Sequence, residues 1–155
     1  MPSKSRLDYL LPSALMMLAI VLLPLTPAKA AGECFVKYSK TNICDFAKKV
    51  QQEMAPSLPM QLSSNLVLRS IAAIGPVLWA NAILKYDEKF LNQTLKQQGA
   101  PRAIIDMKMR EMTHNRVCSG EQMRAFLDLG GHIVYSYEFI DGNKYLEIKL
   151  TPETC

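Results

Sequence analysis

The sequence predicts an α+β fold, in which an antiparallel sheet of about four strands, arranged as two hairpins, is flanked by three to four helices and stapled by disulfides. Two patterns predict the sheet: apolar and polar residues alternate over 133–150, and two apolar runs of strand length meet at Gly75-Pro76. Apolar residues at helical spacing, bounded by capping and terminating residues, predict the helices. The even number of cysteines, 4, predicts disulfide bonds formed in an oxidising compartment.

The first thirty residues have the parts of a secretory signal peptide. Basic residues near the start precede an apolar run over 9–25, and Ala28-Lys29-Ala30 supplies the small residues that precede a cleavage site. We expect cleavage between Ala30 and Ala31, which leaves a single periplasmic or secreted domain over 31–155. The alternative is an uncleaved leader that anchors the domain in the inner membrane. However, prolines interrupt the run, and it is shorter than the roughly 18 to 20 residues of a bilayer span.

The charge of the secreted part excludes one class of partner. Without residues 1–30 the chain keeps 15 basic and 13 acidic side chains, which is close to neutral. No basic stripe with interleaved aromatic residues is present, so a nucleic-acid partner is not expected. No apolar segment of the mature chain is long enough to predict an integral membrane span.

The first helix and the first hairpin follow the leader. Asn42 can cap a helix that has Asp45 in its first turn and ends at Pro56. Residues 65–86 are apolar enough for either a buried helix or a pair of strands. The turn dipeptide Gly75-Pro76 favours strands over 65–74 and 77–85, because proline would kink one long helix.

Two further helices are predicted between the hairpins. Asp87 can cap the second helix, Gly99 can end it, and Pro101 suits the first turn of the third. The third helix carries more apolar residues than one core-facing side needs, and a methionine-rich surface suits the binding of a partner helix in a groove. The candidate partner-binding residues are Ile104, Met107, Met109 and Met112. The alternative is that this helix is simply buried between the sheet and its neighbours.

The last forty residues predict a short helix and a hairpin. Ser119 is expected to cap the short helix, with Gln122 reciprocating, and Gly130-Gly131 to end it. Asp141-Gly142 is a tight-turn dipeptide between two alternating strands. The residues expected to face the core from the first of these strands are Ile133, Tyr135, Tyr137 and Phe139, and Trp79 is also expected to pack inward. The alternative is that Tyr135, Tyr137 and Trp79 line a pocket.

The four cysteines allow three disulfide pairings. One arrangement joins Cys118 to Cys155, which would close the helix-hairpin unit, and Cys34 to Cys44, which would tether the start of the secreted domain. No CxxC pair is present, so neither a metal site nor a redox-active dithiol is predicted.

Catalytic groups are sparse in this sequence. Its two histidines, His114 and His132, lie in a predicted helix and at the start of a predicted strand, where ordinary polar roles are expected. Gly130-Gly131 lacks the rest of a phosphate-binding loop. No serine or cysteine nucleophile with a histidine and an acid is indicated. The sequence therefore predicts a domain that is not an enzyme and that needs no cofactor.

The order and spacing of these elements resemble the small β-sheet pilotins of type II secretion. The resemblance covers roughly 42–155, and its specific part runs from Asn115-Arg116-Val117-Cys118-Ser119, through Gly130-Gly131 and the following strand, to Cys155. It implies a Cys118–Cys155 disulfide and a curved sheet flanked by helices. It also implies a protein that binds the C-terminal tail of a secretin subunit and brings it to the outer membrane.

One departure from the pilotins changes what the resemblance implies. Pilotins of this kind begin at an acylated cysteine that follows apolar and small residues, whereas Cys34 follows Glu33. We therefore expect a disulfide at Cys34 rather than a lipid. The predicted function is a non-enzymatic protein-binding accessory domain of an envelope assembly, with a secretin tail as the first candidate partner. The alternative is a secreted inhibitor, immunity or effector-type protein that blocks another protein.

Overall fold

A computed structural model of the chain describes residues 34–35 and 41–155. The predicted signal peptide, and the cleavage site between Ala30 and Ala31, lie outside the described residues. In the described part of the chain, no helix is both long enough and apolar enough to cross a bilayer. The elements in chain order are α1 (Ile43–Met54), a 3₁₀ turn (Ala55–Ser57), β1 (Met60–Ser63), β2 (Leu66–Ile74), β3 (Val77–Leu84), α2 (Glu88–Gln98), α3 (Arg102–Cys118), α4 (Glu121–Asp128), β4 (His132–Glu138), β5 (Lys144–Leu150) and a second 3₁₀ turn (Pro152–Thr154).

The five strands form one mixed sheet in the order β1-β2-β3-β4-β5. Both predicted hairpins are present as antiparallel pairs, β2 with β3 and β4 with β5. The hairpins join through β3 and β4, which run parallel, with Leu78 opposite Ile133 and Ala80 opposite Tyr135. The prediction of a four-stranded antiparallel sheet is therefore wrong in two respects, since β1 adds a fifth strand and β3 pairs in parallel with β4. The physical reason is the long connection through α2, α3 and α4, which returns the chain in the same direction.

Most helix ends lie where their capping residues predict them. The Asn42 side chain accepts hydrogen bonds from the backbone N–H groups of Cys44 at 3.0 Å and Asp45 at 3.2 Å. The Asp87 carboxylate accepts from Phe90 N–H at 2.7 Å. Gly99 then ends α2 with a φ of 62°, a left-handed conformation that suits glycine.

The predicted cap of α4 is wrong. Ser119 ends α3, and its hydroxyl donates back to the Asn115 carbonyl instead of accepting from α4. Gly120 precedes α4 without a side-chain cap, and the Gln122 amide donates to Glu53 of α1 at 2.8 Å. The local pattern was ambiguous because α3 and α4 are nearly continuous, so that one serine can serve the end of the first or the start of the second.

The helices cover one face of the sheet and enclose the core. The helix α1 packs on β2 and β3, α4 on β4, and α3 on β5 and α4. The core-facing strand residues are buried, among them Leu68, Leu78, Ala80, Ala82, Ile133, Tyr135, Tyr137, Ile148 and Leu150. Trp79 points to the opposite face and is 37% exposed, so its predicted place in the core is wrong. The alternation of β3 explains this, because Leu78 and Ala80 occupy the inward positions on either side of Trp79.

Two disulfides tie the chain to this frame. Cys34 bonds to Cys44, with a Cα–Cα distance of 5.2 Å, and Cys118 bonds to Cys155, with a Cα–Cα distance of 5.4 Å. Both distances lie in the usual range for disulfides. The first bridge secures the segment before α1, and the second fastens the end of the chain to the end of α3.

Candidate functional site

The helix α3 is held firmly at its start by contacts with the second hairpin. The Tyr145 hydroxyl donates to the Asp106 carboxylate at 2.5 Å, and the Arg102 guanidinium carbon lies 5.1 Å from the centre of the Tyr145 ring. Burial, followed by the hydrogen bond to Asp106, raises the pKa of Tyr145 above its ordinary value. The tyrosine therefore stays neutral and keeps its proton for this bond. These contacts fix the rotation of α3 about its axis, and hence the residues that it presents to solvent.

The four candidate partner-binding residues of α3 divide between the core and the surface. Met109 is only 7% exposed and belongs to the core. Ile104, Met107 and Met112 are 40%, 60% and 54% exposed. Three of the four candidates are thus accessible to a partner, whereas Met109 is buried and cannot contact one directly. We refer to Ile104, Met107 and Met112 as the α3 apolar surface.

Helical geometry explains this division. Met109, Thr113 and Val117 are spaced four residues apart, and all three are buried. At about 3.6 residues per turn, this row forms one continuous side of α3. Ile104 lies nearly opposite that row, while Met107 and Met112 flank the exposed side. Apolar residues therefore lie on the exposed side of α3 as well as on its buried side. Burial in the core does not account for those on the exposed side.

A small cavity lies beside the α3 apolar surface, where α3 crosses the end of the sheet. Its volume is about 50 Å³. Met112, Thr113 and Arg116 contribute to it from α3, and the sheet contributes Leu62, Ser63, Leu66, Tyr135 and Tyr137. The cavity is too small for a metabolite, and we refer to it as the notch.

Hydrogen bonds satisfy the polar groups in the floor of this notch. The hydroxyls of Thr113 and Tyr137 lie 2.6 Å apart, and the Thr113 hydroxyl donates to the Met109 carbonyl at 2.6 Å. The Tyr137 hydroxyl is therefore the donor toward Thr113. Burial raises the pKa of Tyr137 to about 12, and burial also raises the pKa of Tyr135. Both hydroxyls remain neutral at physiological pH, so the floor carries no charge.

The rim of the notch carries one positive charge. Arg116 is exposed at the end of α3. Its positive charge lowers the pKa values of Tyr135 and Tyr137, but burial has the larger effect and raises them. Among the described residues, no carboxylate forms an ion pair with Arg116. The notch therefore combines an apolar lining with a cation that a partner's carboxylate can reach.

A second apolar surface, which the sequence did not predict, lies where α2 meets the turn of the second hairpin. Phe90 is 57% exposed and Ile140 is 62% exposed. They border a cavity of about 370 Å³ together with Asn65, Lys85, Tyr86 and Asp87. These residues come from three separate parts of the chain, so sequence periodicity gave no signal. We refer to Phe90 and Ile140 as the hairpin-tip surface.

The open face of the sheet carries a shallow polar groove. Its volume is about 300 Å³, and the residues that line it are Ser70, Ala72, Trp79, Ala80, Asn81, Ser136 and Glu138. The Asn81 amide oxygen and Nδ1 of His132 are buried, and neither has a hydrogen-bond partner in the described part of the chain. Both residues alternate outward from their strands, on the face away from the helices.

The two histidines occupy structural positions. Nε2 of His114 lies 2.7 Å from the Thr154 carbonyl oxygen, so this nitrogen carries the proton and donates it to the segment that ends in Cys155. His132 begins β4, next to Gly131. Within the described residues, neither histidine is hydrogen-bonded to a serine or a cysteine. This geometry does not assemble the nucleophile and base of an acyl-transfer enzyme.

These features define a class of fold: a small α+β domain in which helices pack on a five-stranded mixed sheet and a disulfide fastens residue 155 to α3. The chain is similar in structure to the pilotin EpsS from the type 2 secretion system of Vibrio vulnificus, with a TM-score of 0.57 and 14% sequence identity over 73% of this chain and 91% of that one. It is also similar to the type II secretion system pilotin AspS from Vibrio cholerae, with a TM-score of 0.54 and 15% identity over 74% and 93% of the two chains.

A third similar structure belongs to a protein of Pseudomonas aeruginosa described as secreted. The TM-score is 0.57 at 14% identity, over 73% of this chain and 92% of that one. No protein-family model matches the sequence, and no curated protein sequence matches it. The resemblance to pilotins noted from the sequence is thus confirmed at the level of the fold.

Proposed function

We propose that this chain is an exported, non-enzymatic accessory domain of the pilotin type, which binds an apolar segment of another envelope protein. The observation that carries the proposal is the α3 apolar surface, formed by Ile104, Met107 and Met112 on a helix whose opposite side is fully packed. The pilotin fold adds support, since EpsS and AspS are both type II secretion pilotins. The first candidate partner is the C-terminal tail of a secretin.

The chemistry of the surface suits such a partner. Methionine side chains are flexible and polarizable, so they adapt to the apolar face of a helix or strand. The notch beside Met112 accepts one apolar side chain, and Arg116 at its rim favours a partner segment that carries a carboxylate near its apolar residues.

A site-specific crosslinking experiment tests this proposal. A photoreactive amino acid replaces Met107 or Met112 in the chain produced in its own organism, and the covalent adducts are identified by mass spectrometry. The matched control places the same amino acid at Gln97, which is exposed on α2 and outside the α3 apolar surface. We expect an adduct with an envelope-assembly protein at both test positions and not at Gln97. Equal adducts at all three positions, or none at the test positions, would contradict the proposal.

The hairpin-tip surface supports a second candidate function, namely an inhibitor, immunity or effector-type protein that blocks another protein. Phe90 and Ile140 project where a cleft of an opposing protein could receive them. The same crosslinking method with the photoreactive group at Ile140 separates the two functions. An adduct with a secreted hydrolase or toxin at Ile140, with none at Met107, would favour the blocking function.

We also infer that the chain is exported without a lipid. The sulfur of Cys34 is bonded to Cys44, which leaves it unavailable for acylation. Intact mass spectrometry of the envelope protein tests this inference. The expected mass begins at Ala31 and shows alkylatable thiols only after reduction. A lipid-sized increment on Cys34, with Cys118 and Cys155 alone bridged, would contradict it and would favour a lipoprotein pilotin.

A further inference from the structure

Three potential metal ligands meet where the chain ends against α3. His114 and Cys118 lie four residues apart on α3, and Cys155 reaches them from the closing segment. One ligand atom from each of the three residues lies within 4.8 Å of the other two, and all three side chains are partly accessible. Among the residues that the structure describes, no other group of three histidine, cysteine or acidic ligands comes so close together.

The bridged form does not itself offer this site to a metal. The sulfurs of Cys118 and Cys155 are bonded to each other, and metal binding by cysteine requires the thiolate. The imidazole of His114 instead donates a hydrogen bond to the carbonyl of Thr154, the residue immediately before Cys155. The disulfide and the hydrogen bond therefore fasten the same segment to the same turn of α3.

We propose that reduction of the Cys118–Cys155 bridge converts this cluster into a site for Zn²⁺ or a similar divalent cation. A dithiol reductant breaks the S–S bond, gives its two hydrogens to the cysteine sulfurs and becomes a disulfide itself. The cation then displaces both thiol protons to solvent and binds two thiolates and the ring nitrogen of His114 that carries no proton. Water completes the fourth position of a tetrahedral site.

The geometry requires little rearrangement for this step. In a tetrahedral zinc site with metal–ligand bonds of about 2.0 to 2.3 Å, neighbouring ligand atoms lie about 3.5 Å apart. The two sulfurs are bonded to each other and move apart to this spacing once the bridge is reduced, while a ring nitrogen of His114 already lies within 4.8 Å of both. The spacing of His114 and Cys118 places them on the same side of α3. Rotation of the three side chains would complete the arrangement, and the contact of His114 with Thr154 holds the imidazole against the segment that carries Cys155.

The cation would keep the end of the chain attached to α3 when the bridge is absent. Metal binding that needs the folded arrangement of three ligands contributes directly to the stability of that arrangement. The reduced chain would thus retain a metal-dependent clamp at the position that the disulfide occupies in the oxidised chain. This site is separate from the α3 apolar surface, so its existence does not depend on the proposed partner.

A thiol-protection experiment tests the proposal on the full chain. The protein is reduced with a phosphine, desalted without oxygen and mixed with one equivalent of Zn²⁺, and the alkylation rate of each cysteine is followed by mass spectrometry. We expect Zn²⁺ to slow alkylation of Cys118 and Cys155 by at least about tenfold. Cys34 and Cys44 supply the internal control and should react at an unchanged rate. Co²⁺ in place of Zn²⁺ should give a thiolate-to-metal absorption band in the reduced protein and none in the oxidised protein.

The histidine variants distinguish a built site from general thiol binding. His114→Ala should abolish the protection, whereas His132→Ala should preserve it. His114→Gln, whose longer side-chain amide can donate to Thr154 from near the position of Nε2, should lose protection as His114→Ala does. Protection that is absent in the wild type, spread over all four cysteines or unchanged in both His114 variants would overturn the proposal.

Discussion

Gly131 lies where the chain leaves α4 for β4, and its lack of a side chain makes room for the Phe126 ring. A Cβ atom added at Gly131 would lie 2.5 Å from Cε1 and Cζ of that ring. Phe126 is fully buried, so the ring cannot turn aside freely. We expect Gly131→Ala to lower the free energy of unfolding by about 1 to 3 kcal/mol in urea denaturation, as overpacked cores do. Gly120→Ala is the matched control. A Cβ atom added at Gly120 would lie 3.4 Å from its nearest neighbour, the Arg116 carbonyl oxygen, so we expect this substitution to be tolerated. Equal losses in both variants would contradict this account of Gly131.

Met107 and Met109 are two residues apart in the sequence but lie on different sides of α3. Met109→Lys would place a charge in the core, and we expect it to lower the free energy of unfolding by several kcal/mol, on the order of 3. Met107→Lys should change it by less than about 0.5 kcal/mol, because Met107 is 60% exposed. Urea denaturation of the two variants measures both values. Similar losses would show that Met107 is part of the core and not of the α3 apolar surface.

Tyr137 gives the fold a pH dependence in the alkaline range. Burial raises its pKa from 10.0 to about 12, so the folded chain holds this proton more tightly than the unfolded chain does. The resulting stability is complete below about pH 10 and is lost as the pH rises towards about 12. We expect the free energy of unfolding to fall less steeply over this range in Tyr137→Phe than in the wild type. Part of the slope should remain, since burial also raises the pKa values of Tyr86, Tyr135 and Tyr145. Identical slopes would contradict the assignment to Tyr137.

The two bridges differ in how much of the chain they constrain. Their cysteines are 10 and 37 residues apart in sequence. In the loop-entropy model, removing Cys118–Cys155 should cost about 4 kcal/mol and removing Cys34–Cys44 about 3 kcal/mol. Paired alanine substitutions, compared by urea denaturation with all other cysteines oxidised, measure the difference. A larger loss from the Cys34–Cys44 pair would show that the segment before α1 stabilises the fold more than its loop length suggests.

Local elements could be predicted from the sequence because short-range physics determines them. The second hairpin follows from the strict alternation of Ile133, Tyr135 and Tyr137 with polar residues and from the turn at Asp141-Gly142. The parallel pairing of β3 with β4 has no such local signal, since more than forty residues separate the two strands. The same limit applies to β1, whose four residues are too short for a periodic pattern.

The candidate site was predictable only in part, for a related reason. The excess of apolar residues on α3 is visible in the sequence, but the rotation of the helix decides which of them are exposed. Contacts of Arg102 and Asp106 with the distant Tyr145 set that rotation and place Met109 inside and Met107 outside. The hairpin-tip surface could not be predicted, because Phe90 and Ile140 meet only in the folded chain.

At the scale of the whole molecule, the fold separates a packed interior from two apolar surfaces at different places on it. The helices α1, α3 and α4 pack against the sheet, and α3 and the hairpin-tip surface each expose large apolar side chains. Contiguous apolar patches on a soluble domain commonly mark interaction sites, and this is the reason that we propose a protein partner for this chain. The similarity to EpsS and AspS, at 14% and 15% identity, shows that the same frame is compatible with very different sequences.

A pilotin-type function is best tested by the amount of secretin multimer in the outer-membrane fraction of cells that lack this chain. Cells complemented with the wild type are compared with cells carrying the Met107→Lys, Met112→Lys double variant, at equal protein levels and with both disulfides intact. Gln97→Lys on α2 serves as the matched surface control. The account predicts that the multimer falls without the chain, returns with the wild type and with Gln97→Lys, and does not return with the double variant. Secretin multimers that are unchanged when the chain is absent would contradict it.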